Sequence, residues 1–133
     1  MPFDNWAMGM SELVNHIDYG NFFDKVMELD PNIRFVATYD GQFNAKFREG
    51  VEGYFKDEEI KSSLSKAQKR WDSRKQMGLK IGDPKYAMAQ YGKVNRITIP
   101  LDNDGIILVT TEIDVDINKL VTEIIDARNE FFN

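Results

Sequence analysis

Apolar and polar positions alternate most regularly between Lys85 and Ile113, and the rest of the chain is arranged to pair with that stretch or to cover it. Ile97 and Ile99 alternate with polar neighbours across Asn95–Leu101, and Ile106–Ile113 is β-branched and apolar enough to lie centrally in a sheet. Asp102-Asn103-Asp104-Gly105 separates the two as a turn, because Asn and Gly tolerate positive φ and Asp side chains bond nearby backbone. Gly92-Lys93 marks an earlier turn after a strand at Tyr86–Tyr91, so the segment predicts a three-stranded antiparallel meander. Upstream, Ile33–Asp40 predicts a strand with Ile33, Phe35, Ala37 and Tyr39 on one face and Val36 on the other. Asp40-Gly41 is a hairpin signal. The returning strand, Gln42–Arg48, alternates Phe43, Ala45 and Phe47 with Gln42, Asn44, Lys46 and Arg48, which gives it one wet face.

Helical spacing accounts for the remainder. Phe3, Trp6, Met10, Leu13 and Ile17 predict an amphipathic helix over residues 3–18, weakened by Gly9. Tyr19, Phe22, Phe23, Val26 and Leu29 form a second stripe about half a turn away, so a break or kink falls at Gly20-Asn21. The first helix either packs on its own domain or presents its apolar face to a partner or a second copy. Asp30-Pro31-Asn32 ends the second, since proline restricts the residue before it to extended conformations. A long helix is expected from Asp57 to Met77, capped by Asp57, with Ile60, Leu64, Ala67 and Trp71 buried. Gly78 and Gly82-Asp83-Pro84 close it. A last helix, Asp116–Phe131, has a wide apolar face that includes Ile117, Leu120, Val121, Ile124, Ile125 and Arg128. The order helix, strand, strand, helix, strand, strand, strand, helix defines an α+β fold with one five-stranded antiparallel sheet and flanking helices.

At 133 residues the chain is one domain, in which residues 1–18 are an N-terminal helical extension on a core of residues 19–133. A hydrophobic share of 42% beside 29% charge disfavours disorder, and no run approaches the ~20 apolar residues that span a bilayer. The start carries no basic region followed by an apolar one, so a cytoplasmic address without membrane contact is expected. With no cysteine and one histidine, His16, thiolate chemistry is excluded and a transition-metal site is disfavoured. Asp102-Asn103-Asp104-Gly105 faintly resembles a calcium loop but lacks the downstream spacing and closing Glu. There is no P-loop and no nucleophile elbow. These absences predict a protein without catalytic residues, metal or cofactor.

Two features stand out from that background. Lys66, Lys69, Arg70 and Arg74 fall, with Lys80, within an arc of roughly 140° on the long helix, opposite its buried stripe. That arc is a solvated face, an interaction face for an acidic protein, or a phosphate-binding face. The net charge of −5 argues against nucleic acid. Second, Phe35, Tyr39, Phe43, Phe47, Tyr54, Trp71, Tyr86 and Tyr91 cluster around the sheet, either as core or as the lining of a small-ligand cavity of PAS type.

The element order resembles that of roadblock-type (dynein light-chain regulatory) domains, and is close to profilin-like and PAS-like sheets. Three stretches also resemble a family of small single-domain proteins of no assigned activity from ammonia-oxidising archaea (Thaumarchaeota): DPNIRFVATYDG at 30–41, FREGVEGYF at 47–55, and residues 69–116, which include KYAMAQYGKVNRITIPL. The roadblock resemblance implies a homodimer built on the long helix and its neighbouring strand. It further implies a scaffold or regulator, often of a small GTPase, with no chemistry of its own. The PAS resemblance implies instead a ligand-sensing module.

Overall fold

The computed structural model describes residues 17–132. Of the helix expected over residues 3–18, all but the last two residues therefore lie outside the described residues. Ile17 and Asp18 are not helical. Asp18 Oδ1 accepts a hydrogen bond from Gly20 N–H (2.9 Å), so the turn into the next helix starts where the stripe changes phase.

In chain order the elements are α1 (Gly20–Leu29), β1 (Ile33–Tyr39), β2 (Phe43–Phe47), α2 (Asp57–Ile81), β3 (Ala87–Gln90), β4 (Asn95–Pro100), β5 (Ile106–Thr111) and α3 (Ile117–Phe131). The strands form one antiparallel sheet in the order β2-β1-β5-β4-β3, which leaves β2 and β3 as edges. β5 is central and all six of its residues are buried, as its apolar composition predicts.

Helices cover both faces. α1 and α3 lie on one, where Phe22, Val26, Leu120 and Ile124 meet Ile33, Val36, Ile97, Ile99, Ile107 and Val109. α2 lies on the other, where Ile60, Leu64, Ala67 and Trp71 meet Ala37, Ile106 and Leu108. The Trp71 indole N–H donates to Thr98 Oγ1 at 3.0 Å, which satisfies the one polar atom that burying this ring would otherwise strand.

Ile33 departs from the expected pattern. It faces α1 and α3 with Val36, not α2 with Phe35, because a bulge lies between Ile33 and Phe35. Ile33 is opposite Thr111 and Phe35 opposite Thr110, so Arg34 is an extra residue and the alternation reverses there.

α2 also differs at both ends. Asp57 is its first residue, and the cap is the extended Lys56, whose N–H donates to Glu59 Oε1 at 3.1 Å. The helix continues four residues past Met77 to Ile81. Gly78 does not stop it. A Cβ there would sit 3.0 Å from Pro84 Cδ, so the glycine lets the returning chain fold against the helix. Gly82 at φ +101° ends the helix, its N–H donating to Gly78 O (2.9 Å).

Arg48 is the third correction. Far from standing on a wet face, it donates through Nε to Ile33 O (2.6 Å) and through Nη2 to Met27 O (2.8 Å) and Asp30 O (2.9 Å). In the β4–β5 turn, Asp104 takes the positive φ (65°), while Gly105 is required by close approach to Tyr39 O.

Candidate functional site

The surface of α2 carries two distinct regions, one toward each end of the helix. Toward its N-terminal half, a cleft of about 620 Å3 opens between the helix and the sheet. Its floor follows from strand register. Phe47 lies opposite Phe35, Phe35 opposite Thr110, and Thr110 opposite Arg96, so the four form one row across β2, β1, β5 and β4 on the α2 face. The Phe35 and Phe47 rings stack at 4.8 Å. The rim is Tyr54 and Phe55 from the β2–α2 loop and the turn after β3. Tyr54 and Phe55 are more than half exposed.

Cations surround this apolar floor. Arg34 donates to Glu112 Oε1 (2.6 Å) and to Glu52 O (2.8 Å), and stacks over Tyr54 at 4.8 Å, so it holds the rim in place. Arg96 donates to Ser63 Oγ on α2 (2.7 Å). Burial lowers the Arg96 pKa, nearby Tyr91 works against that, and the like charge of Arg70 adds to it.

The structure distributes the four predicted cations of α2 among different neighbours. Arg70 borders the cleft. Arg74 stacks over the Trp71 ring at 5.1 Å. Lys66 and Lys69 border a shallower depression with Tyr39, Glu58 and Lys61 on the other flank. Of the aromatic group, Phe35, Phe47, Tyr54 and Tyr91 line the cleft, while Trp71 is core. Sequence reasoning missed Arg34, Arg96 and Thr110. Arg96 is the one charged residue of β4, which was the available signal for it.

At the C-terminal end of α2, Met77 (62% exposed), Leu79 (82%) and Ile81 (78%) stand in solvent. β3 is an edge strand, and its Met88, 41% exposed, lies opposite Ile97 on the α1 and α3 face of the sheet. Among the described residues, no group of three or more acidic or histidine side chains is placed to hold a metal ion. Among them too, no helix is long and apolar enough to cross a membrane.

A five-stranded sheet in this order, with one long helix on one face and two helices on the other, is the roadblock/LC7 fold. The roadblock/LC7 domain from Streptomyces avermitilis superposes with a TM-score of 0.67 at 10% identity, over 87% of this chain and 96% of that one. Myxococcus xanthus MglB superposes with a TM-score of 0.62 at 13% identity, over 84% of this chain and 89% of that one. The gliding protein MglB from Thermus thermophilus gives 0.58 at 5% identity, over 84% and 88%. At these identities the likeness is one of fold. No protein-family model matches the chain, and no curated protein matches it in sequence.

Proposed function

We propose that the protein is a non-enzymatic cytoplasmic scaffold or regulator that works as a homodimer and binds other proteins. Two observations carry this reading, the apolar C-terminal end of α2 and the open edge of β3. Met77 and Ile81, four residues apart, share a helix face, and β3 has a hydrogen-bonded neighbour on one side only. Unpaired strand edges and exposed apolar side chains are the usual substrates of self-association, and a twofold axis would meet each patch with its own copy. Covering each such side chain is worth about 1.5–3 kcal/mol. The roadblock resemblance supports the same geometry.

The partner expected of such a dimer is an acidic protein surface, a small GTPase by analogy of fold, steered by Lys66, Lys69, Arg70 and Arg74. Kinship with the archaeal family rests on the three sequence stretches and belongs to the same proposal.

Light scattering across micromolar concentrations tests the reading. The full chain should have the mass of a dimer, and Met77→Glu/Ile81→Glu should have that of a monomer with an unchanged circular dichroism spectrum. A full chain that is monomeric throughout would refute the homodimer.

A further inference from the structure

The cleft beside the N-terminal half of α2 has the makings of a ligand site, and two observations bear on what it would hold. Its floor is apolar, with stacked Phe35 and Phe47. Its charge is unbalanced. Of the cations that line it, Arg34 pairs with Glu112, Arg96 donates to the neutral Ser63 hydroxyl, and Arg70 and Lys93 form no ion pair among the described residues. Glu59, the acid on the wall, is engaged with the Lys56 N–H at the helix start.

Each observation asks for a different part of one molecule. Two guanidiniums without a carboxylate at the same end call for an anion, and guanidinium is the side chain best shaped to take a carboxylate. Stacked phenylalanines call for an apolar body, and the volume lies within the range of small-molecule sites.

We propose that the cleft binds a small amphiphilic carboxylate, its apolar body on Phe35 and Phe47 and its carboxylate between Arg96 and Arg70. Tyr54, held by Arg34, closes over the apolar body from the rim. This inference is independent of self-association, which involves the opposite end of α2.

Isothermal titration calorimetry on the full chain tests it, with 2-naphthoate and decanoate as probes and 2-naphthylmethanol as the neutral control. One carboxylate should bind per chain, and the neutral control should bind at least about 10-fold more weakly. Arg70→Gln, at an exposed position without an ion pair, should weaken carboxylate binding about 10-fold or more and leave the melting temperature unchanged. Absence of carboxylate binding up to millimolar probe, equal affinity for the neutral control, or wild-type affinity in Arg70→Gln would overturn the proposal.

Discussion

Removing the Arg48 guanidinium should unfasten the junction of α1, β1 and β2. Arg48 gives hydrogen bonds to three carbonyls, those of Met27 in the last turn of α1, Asp30 just beyond it, and Ile33 at the start of β1. The last carbonyls of a helix have no intrahelical partner, and a cation there also meets the negative end of the helix dipole. Arg48→Met keeps most of the aliphatic stem and removes all three donors. Hydrogen bonds to a charged group are worth about 1.5–3 kcal/mol each. The site is partly exposed, so water recovers much of that, and a net loss of about 2–4 kcal/mol is expected. That is a large share of the total for a domain with about 5–15 kcal/mol of stability. Urea titration followed by far-ultraviolet circular dichroism is the assay. With a slope near 2 kcal/mol per molar, the midpoint should fall by about 1–2 M at unchanged slope. Arg48→Lys should recover less than half of the loss, since one ammonium cannot reach three carbonyls in a fixed fork. A midpoint for Arg48→Met within about 0.25 M of wild type, equivalent to the roughly 0.5 kcal/mol of ordinary surface substitutions, would refute the reasoning.

Two further predictions concern the region around Asp40. Gly105→Ala places a Cβ 2.8 Å from Tyr39 O and 2.9 Å from Asp40 Cβ, so backbone must shift, and thermal melts should show a loss of about 1–3 kcal/mol; an unchanged melt would mean the turn relaxes freely. The Tyr19 hydroxyl donates to Asp40 Oδ2 at 2.9 Å, and burial, then that hydrogen bond and the Asp40 charge, hold its pKa well above 10.0, against a smaller opposing effect of Asn103. The folded state therefore keeps a proton that the unfolded chain loses: the stabilisation is complete below pH 10 and is lost as the pH climbs through the folded-state pKa. Urea midpoints should accordingly fall more steeply above pH 10 in wild type than in Tyr19→Phe, and parallel profiles would sink the assignment.

What was legible in the sequence was whatever leaves a periodic trace. The α2 stripe of Ile60, Leu64, Ala67 and Trp71, the Asp40-Gly41 hairpin and the doubly buried β5 were each predicted from spacing, and each is present. The sheet and its order of helices and strands followed from them. What escaped was set by contacts between elements distant in sequence. Gly78 carries the signature of a helix stop, yet Pro84, packed against it, is the reason for the glycine. Arg48 alternates like a solvent-facing residue, yet three carbonyls from other elements converge on it.

The cleft combines both kinds of information. Its aromatic members were recognisable as a group, while the helical wheel assigned Arg70 to the same arc as Lys66, Lys69 and Arg74. Angle around a helix axis cannot register that Arg70, alone of the four, borders the cleft between α2 and the sheet. The floor depends on a single inserted residue. Ile33 faces α1 and α3, and in a regular strand Phe35, two positions on, would face them too. Because Arg34 is the extra residue of a bulge, Phe35 is turned to the α2 face opposite Thr110, and the row through Phe47 and Arg96 is completed. The same residue stacks on Tyr54 and so fixes the rim. One bulge thus builds both the floor and the wall of the cleft, and a bulge of this kind changes no apolar period that a sequence pattern could reveal.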